Sequence, residues 1–274
     1  MVRLLCFVAC FGGVMTLLTA ALYAQRARVL HRLTDCDVGE PLGLARAAWA
    51  FIAECVATAA IVWSVPLGWF LPRDAFGRGT RGPVLLVHGW SLNRGCFWMM
   101  RRRLLRDGWS PVCCFDYRTL GLDVEGAAAQ LRVMVDHLVQ AGGGQRPLML
   151  IGHSLGGLVL RYYARRYPAP HVRRIVTLGT PHGGTALAPS AGGTIHKLNP
   201  SSPFLKTLCA ADRVPQQFDV IAIHSSFDAM ILPPHNAEYP GAFNIEIAAV
   251  GHNTLLFSAK VYQLIAGNLA APLR

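Results

Sequence analysis

Residues 151–157 read IGHSLGG, a serine and a histidine set among small and apolar residues. The run PLMLIG that leads into it predicts a short buried strand, and SLGGLVLRYYARRY predicts an amphipathic helix that follows. Ser154 therefore stands on a sharp strand-to-helix corner, where side chains at Gly152 and Gly156 would collide with the turned backbone. The corner exposes the serine hydroxyl at the amino end of a helix, which favours developing negative charge. The pattern predicts Ser154 as a nucleophile within an elbow formed with Gly152, His153 and Gly156.

Beyond residue 83, short apolar runs alternate with helical patterns. Such alternation predicts βαβ units, which build a mostly parallel sheet with helices on both faces. The predicted strands are PVLLVHGW, VCCFDY, PLMLIG, RRIVTLG, FDVIAIHSS and NIEIAAVG. Because ligands of these sheets bind beyond the carboxyl ends of the strands, we look for reactive side chains at that edge.

A serine hydroxyl needs a base to remove its proton, and the base needs a carboxylate to orient it. His252 directly follows the strand NIEIAAVG, and Asp228 lies a few residues beyond VIAIHSS. The order Ser154, Asp228, His252 is the order that a nucleophile-elbow architecture uses. We therefore predict these three residues as a catalytic triad. Three alternatives for the acid stay open at this stage: Asp116, Glu238 and Glu246. Three alternatives for the base also stay open: His196, His224 and His235.

The oxyanion of a serine-catalysed reaction also requires hydrogen-bond donors that are in place before the reaction. One predicted donor is the backbone N–H of Leu155, the residue after the nucleophile. The other is the N–H of Trp90, in the loop after the first strand of this region, where Gly89 allows close approach to a substrate. We expect His88 and His153 to be structural neighbours rather than catalytic groups.

Residues 4–24 contain no charged side chain and would form a helix about 30 Å long, enough to cross the hydrocarbon core of a membrane. A membrane span is the favoured interpretation. The alternative is a cleaved secretory signal, because Arg3 gives a short basic start and Leu22-Tyr23-Ala24 resembles a cleavage site.

A second apolar segment covers residues 47–71 and is interrupted by Glu54 and Pro66. With Trp63 and Trp69 placed for an interfacial belt, it predicts a second span and thus a helical hairpin. The alternative is a helix lying on the membrane or against the rest of the protein. A single acidic residue near the end of a span is expected to be tolerated rather than functional. Arginines lie on both sides of the segment, so the side of the membrane that holds the catalytic domain stays open.

The chain has a net charge of +11 and eight cysteines. No nucleic-acid motif accompanies the scattered arginines, so we expect no nucleic-acid partner; anionic lipid headgroups or ordinary solvated helix faces explain these charges. The cysteine spacing matches neither a metal site nor a disulfide framework. Cys113 and Cys114 are adjacent in a predicted strand and are expected to be small buried residues on opposite faces of the sheet. We predict no metal and no organic cofactor.

Taken in order, LLVHGW, IGHSLGG, VTLGTPHGGT, the aspartate of SSFDAMILPP and the histidine of VGHNTLLFS resemble a known family. They are similar to the bacterial triacylglycerol lipase and esterase branch of the α/β-hydrolase superfamily, with kinship to GPI-inositol-deacylase-like hydrolases. The resemblance covers residues 83–269. It implies the α/β-hydrolase fold, a triad of Ser154, Asp228 and His252, and an oxyanion hole formed by Trp90 and Leu155.

The same resemblance implies a substrate-adjacent group: His88, Gly89, Thr180, His182 and Gly183. Residues 198–208 resemble a lid in relatives, so we expect a short cap insertion at about 184–217. The calcium site and the disulfide of some secreted lipases are not recognisable in this sequence.

These observations predict two parts, a membrane anchor over residues 1–75 and an α/β-hydrolase catalytic domain over residues 76–274. The predicted function is a serine hydrolase anchored in a bacterial inner membrane that cleaves carboxylic esters of lipid or acyl type through an acyl-enzyme. A thioesterase, an acyltransferase or an amidase would use the same triad, because the fold does not fix the scissile bond. A non-catalytic membrane protein that binds a partner is the alternative from another class. The protein partners stay open.

Overall fold

The structure, a computed structural model, describes residues 2–33, 42–121, 123–141, 146–190, 195–210 and 218–272. Parts of the predicted cap, residues 191–194 and 211–217, lie outside the described residues. The α-helices are α1 Val2–Arg32, α2 Leu44–Phe70, α3 Trp98–Arg106, α4 Val124–Ala141, α5 Leu155–Arg166, α6 Pro203–Ala210 and α7 Ala259–Ala270. The strands are β1 Asp74–Ala75, β2 Val84–Val87, β3 Val112–Phe115, β4 Leu148–His153, β5 Val172–Leu178, β6 Asp219–His224 and β7 Phe243–Glu246.

The strands form one sheet in the order β1-β3-β2-β4-β5-β6-β7. All neighbouring pairs are parallel except β1 and β3, which are antiparallel. The predicted alternation of strands and helices is therefore confirmed, and every strand that the sequence predicted is present. The two-residue strand β1 was not predicted, because two residues are too few to carry a periodic signal.

Two hydrophobic cores cover the two faces of the sheet. Successive residues of one strand enter opposite cores: Leu85 and Cys113 pack with α4 and α5, whereas Leu86 and Cys114 pack with α3 and α7. This alternation follows from the two-residue period of a strand. The expectation that the adjacent cysteines are buried on opposite faces is confirmed.

Strand β7 ends earlier than the sequence pattern indicates. The run NIEIAAVG predicts a strand up to residue 251, but the strand ends at Glu246. The backbone of Ala249 has φ +60, a left-handed conformation that a strand cannot accommodate. His252 is therefore carried by a loop, followed by the short 3₁₀ helix Thr254–Leu256, rather than by the end of a strand.

The two N-terminal helices are antiparallel. Near one end of the pair, the rings of Phe11 and Trp63 lie 5.4 Å apart, and near the other end those of Tyr23 and Phe51 lie 5.6 Å apart. The predicted span at residues 4–24 falls inside α1. Among the described residues, α2 is the one helix whose length and apolar composition suffice to cross a membrane, a property that buried core helices share.

One face of α2 packs against the part of the chain that contains the sheet. The buried residues of the helix recur every three or four positions and form one stripe: Ala50, Glu54, Ala57, Ile61, Ser64 and Gly68. Ile61 joins the core that contains α3 and α7, and Asn93 Nδ2 donates a hydrogen bond to the Val65 carbonyl at 2.8 Å. The opposite face is exposed and includes Trp49, Ile52 and Val56. The buried stripe of α2 thus lies against the core on the α3 and α7 side of the sheet.

Candidate active site

Ser154 lies between β4 and α5 with φ +53, an unfavourable backbone conformation for a residue with a side chain. The flanking glycines permit this corner. A Cβ on Gly152 would lie 2.7 Å from the Gly157 nitrogen, and one on Gly156 would collide with the carbonyls of Val87 and His88. The strained corner turns the partly exposed serine toward the carboxyl edge of the sheet.

His252 and Asp228 form a buried pair at the same edge. Nδ1 of His252 lies 2.7 Å from Oδ2 of Asp228. The other carboxylate oxygen, Oδ1, accepts the N–H groups of Met230 at 2.6 Å and Ile231 at 3.2 Å. Burial lowers the pKa of His252, but the charge and the hydrogen bond of Asp228 outweigh that effect, so the pKa is raised above its ordinary value. The pair can therefore accept and hold a proton.

Gly179 joins the serine corner to this pair. The Ser154 N–H donates to the Leu178 carbonyl at 2.8 Å, which ties the nucleophile to the end of β5. At the next residue, Gly179, a Cβ would lie 3.3 Å from both Asp228 Oδ2 and His252 Nδ1. The same Cβ would lie 2.7 Å from Leu255 Cδ1, so residues 178–179 run closely beside all three residues of the predicted triad.

The predicted oxyanion donors also lie at the serine. A Cβ on Gly89 would lie 3.0 Å from the Ser154 Cβ, so the loop that carries Trp90 passes directly over the nucleophile. Leu155 is the first residue of α5, and its N–H has no acceptor within the helix. Both residues predicted as oxyanion donors therefore lie next to Ser154, one in the loop after β2 and one at the start of α5.

Two further histidines support this arrangement without facing the solvent. His153 Nε2 donates to the His252 carbonyl at 3.1 Å, and the two rings lie 4.8 Å apart. His88 Nδ1 donates to the Gly89 carbonyl at 2.9 Å, and its ring stacks on Tyr117. Burial lowers the pKa of both imidazoles, which keeps them neutral. Their contacts fix the loops on either side of the nucleophile.

The residues after β5 that were predicted to lie beside the substrate make two kinds of contact. They are Thr180, His182 and Gly183. The hydroxyl of Thr180 donates to the Ser154 carbonyl at 3.0 Å and so supports the serine corner. His182 instead hydrogen-bonds Thr177 at 3.0 Å through Nε2 and stacks on Tyr239. The Gly183 N–H donates to the Asn236 carbonyl at 2.7 Å. His182 and Gly183, expected beside the substrate, thus hold the loop after β5 against residues 234–239.

Asp116, one of the alternative candidates for the acid, contacts Arg94 and His88. Its Oδ1 accepts the Arg94 N–H at 2.9 Å, its Oδ2 pairs with the Arg94 guanidinium, and His88 lies 3.8 Å away. This cluster orders the turn that follows residue 93. Within the described part of the chain, no group of three or more His, Cys, Asp or Glu side chains is arranged to hold a metal ion.

Sequence reasoning missed two residues that contact this site. Gly179 was visible only as a glycine after a predicted strand, and its nearness to the Asp228–His252 pair depends on the fold. Glu54 was interpreted as a tolerated charge, yet its carboxylate lies on the turn that follows His252. The available signal was a lone acidic residue inside a long apolar segment, which requires a buried partner.

Comparison with known proteins agrees with this architecture. Residues 82–201 match the protein family described as alpha/beta hydrolase fold. The chain is 32% identical over 148 residues to a triacylglycerol lipase of Burkholderia plantarii, covering 52% of this chain and 40% of the relative. It is 34% identical over 116 residues to a triacylglycerol lipase of Pseudarthrobacter phenanthrenivorans, covering 40% of this chain and 36% of that relative. The chain thus spans well under half the length of these curated relatives.

Similarity to a solved structure covers more of the chain than the similarity in sequence does. The mature form of a Bacillus licheniformis lipase superposes with a TM-score of 0.63 at 17% identity, covering 73% of this chain and 97% of that one. At this identity the likeness concerns the fold. Together with the parallel sheet and the strand-to-helix corner at Ser154, it shows that this chain has the α/β-hydrolase fold.

Proposed function

We propose that this protein is a carboxylic ester hydrolase of lipase or esterase type. The observation that carries the proposal is the buried 2.7 Å contact between His252 Nδ1 and Asp228 Oδ2, beside a serine held at φ +53. The partial sequence likeness to two triacylglycerol lipases supports the same chemistry. Acyl transfer requires a nucleophile, an oriented base and backbone N–H donors for the oxyanion.

In the proposed reaction, Ser154 Oγ attacks the acyl carbon of the ester while His252 Nε2 accepts the hydroxyl proton. The N–H groups of Leu155 and Trp90 stabilise the oxyanion of the tetrahedral intermediate. His252 then returns the proton to the leaving alcohol, and an acyl-enzyme remains on Ser154. Water deprotonated by His252 repeats the sequence and releases the acid. Asp228 holds the imidazole in the tautomer that presents Nε2 as the acceptor.

The substrate is proposed to carry an apolar acyl group. Trp90 is 40% exposed and follows Gly89 at the nucleophile, while Met230 is 37% exposed and follows the acid. Phe97, at the end of the 3₁₀ helix Arg94–Phe97, is fully buried in the core and is not a candidate for substrate contact. Trp90 and Met230 are the residues that we assign to the acyl chain.

We further propose that α1 and α2 hold the protein at a membrane, which we assign to the bacterial inner membrane. The face of α2 that points away from the domain carries large exposed apolar side chains: Trp49, Ile52, Val56, Val62, Trp63, Leu67, Trp69 and Phe70. Lipid would remove this surface from water, and tryptophan is suited to the interface between headgroups and acyl chains. The carboxylate of Glu54 lies on the buried face, so it does not oppose contact with lipid.

The first experiment is labelling of the full chain, purified in detergent, with a fluorophosphonate probe. Native protein should be labelled and should hydrolyse p-nitrophenyl esters, and Ser154→Ala should lose both properties. Ser201→Ala, which removes an exposed hydroxyl that donates to Asn199 Oδ1, should behave like the native protein. Paired short and long acyl esters, thioesters and anilides would then identify the preferred scissile bond. Turnover that survives in Ser154→Ala would refute the proposal.

A further inference from the structure

Helix α2 inserts a carboxylate into the turn that follows His252. Glu54 Oε1 accepts the Asn253 N–H at 2.9 Å, and Oε2 accepts both the N–H and the hydroxyl of Thr254, at 2.9 and 2.7 Å. One turn further along α2, the Thr58 hydroxyl accepts the Asn253 side-chain amide at 3.0 Å. The loop that carries the predicted catalytic base is therefore tied to a helix some 200 residues earlier in the chain.

The carboxylate is deeply buried, with only 5% of Glu54 exposed. A buried carboxylate is strongly unfavourable unless hydrogen bonds replace its lost hydration. Its three donors all come from Asn253 and Thr254, so the contact holds only while this turn keeps its present conformation. Gly251 permits the approach, because a Cβ at this position would collide with the Glu54 carboxylate. The position of the Glu54 carboxylate and the conformation of the turn thus depend on each other.

Helix α1 holds the loop of the predicted acid in a similar way. The Tyr23 hydroxyl donates to the Phe227 carbonyl at 3.1 Å, and Arg26 Nη2 donates to the Ser226 carbonyl at 2.7 Å. The rings of Tyr23 and Phe227 also pack with centroids 4.9 Å apart. Asp228 follows this segment directly. The two N-terminal helices therefore contact both loops that present the Asp228–His252 pair.

We propose that Glu54 is a positioning residue for the hydrolytic reaction, so that the N-terminal helix pair completes the active site in addition to holding the protein at a membrane. This inference rests on the function proposed above. Glu54 would act through the backbone of Asn253 and Thr254, which sets the position of His252 relative to Ser154. The catalytic domain without its N-terminal helices would then lack a component of its own site.

If the Glu54 contact positions His252, removing it should change the properties of His252. A contact that only stabilises the fold would leave those properties unchanged. The titratable groups that face His252 are Asp228 on the β6 loop, His153 at the end of β4 and Glu54 on α2. Burial lowers the pKa of His252, the charge and hydrogen bond of Asp228 raise it, and the charge of Glu54 adds to that rise. The three donors that the Glu54 carboxylate accepts favour its ionised form, so replacing it should shift the protonation of His252 as well as its position.

The test compares native full-chain enzyme with Glu54→Gln and Ser64→Ala on a short, soluble p-nitrophenyl ester. Ser64 is buried on the same stripe of α2, and its hydroxyl bonds only within the helix, to the Ile61 carbonyl at 2.7 Å. Glu54→Gln should lower kcat by up to about 100-fold, as expected when a catalytic group is displaced by about 1 Å. Its KM should stay within about threefold, because binding of the substrate is not altered. The acid limb of its pH profile should move to lower pH, and Ser64→Ala should match the native enzyme in all three respects.

Each outcome has a separate meaning. Glu54→Gln with native kcat and a native pH profile would overturn the inference, while an inactive Ser154→Ala would leave the proposed hydrolase intact. Native turnover that is independent of Ser154 would refute the proposed function, and this inference with it. If Glu54→Gln does not fold, Thr254→Val replaces it, since this change removes one donor and leaves α2 intact. An unchanged kcat in folded Thr254→Val would then count against the positioning role.

Discussion

His252 Nδ1 lies 2.7 Å from Asp228 Oδ2, while the other oxygen of the same carboxylate accepts the N–H groups of Met230 and Ile231. The direction of the carboxylate is thus fixed by the backbone that follows it. A fixed carboxylate selects one tautomer of the imidazole, with the proton on Nδ1 and the lone pair on Nε2. The pair is arranged before any substrate binds.

Replacing Asp228 by asparagine should lower kcat by about 10⁴-fold, because an amide can stabilise the wrong imidazole tautomer and cannot stabilise the imidazolium. KM should change little, since the side chain does not face the substrate. Steady-state kinetics on a soluble ester measure this effect. Thermal unfolding of the variant should be followed in parallel, and a folded Asp228→Asn protein with near-native kcat would contradict the assignment of the acid.

The activity of the native enzyme should fall toward acid pH as His252 becomes protonated. In the proposed mechanism the neutral imidazole is the active base, and the pKa of His252 is raised because the Asp228 carboxylate outweighs the effect of burial. The acid limb of kcat/KM should therefore lie above the ordinary histidine value of about 6.5. A profile recorded from about pH 5 to about pH 9 at constant ionic strength reports this limb. A limb below the ordinary value would show that another group controls the rate.

Gly179→Ala should impair catalysis although it changes only one methyl group. The backbone of Gly179 has φ +51, and a Cβ would lie 3.3 Å from both Asp228 Oδ2 and His252 Nδ1. Displacement of the pair by about 1 Å can cost about 100-fold in rate. Gly267→Ala is the control, since a Cβ there meets nothing within 4 Å and alanine favours the helix that contains it. Equal kcat values for the two variants would mean that the loop after β5 adapts freely.

Val56→Lys should weaken binding to lipid vesicles without changing turnover of a soluble ester. Val56 is 65% exposed on the outer face of α2, and a lysine there would have to lose hydration in an apolar environment. Val133→Lys on α4 is a matched control, because Val133 is 69% exposed on a helix that packs against the sheet. Vesicle flotation of the purified proteins compares them. Equal flotation of the two variants would place the membrane contact elsewhere.

Much of this architecture was predictable from local patterns in the sequence. The alternation of apolar runs and helical periods predicted the central strands, and the glycines around Ser154 predicted the strand-to-helix corner, because both depend on neighbouring residues only. The pairing of Asp228 with His252 was predicted from their positions after two predicted strands, although His252 is in fact carried by a loop six residues after β7 ends at Glu246. The early end of β7 was missed because the left-handed backbone of Ala249 has no signature in its residue type.

By itself, the sequence determined the mostly parallel sheet, the corner at Ser154 and the presence of two long apolar segments near the N-terminus. The tertiary structure alone decided which side chains meet across long stretches of chain. His182 stacks on Tyr239 and the Gly183 N–H donates to the Asn236 carbonyl, whereas Gly179 lies against the Asp228–His252 pair. The interpretation of Glu54 changed most. The sequence showed a lone charge in an apolar helix, and the structure shows a buried carboxylate that accepts hydrogen bonds from the turn after His252. The reason is physical, since a buried carboxylate requires donors, and only the folded chain brings those donors to it.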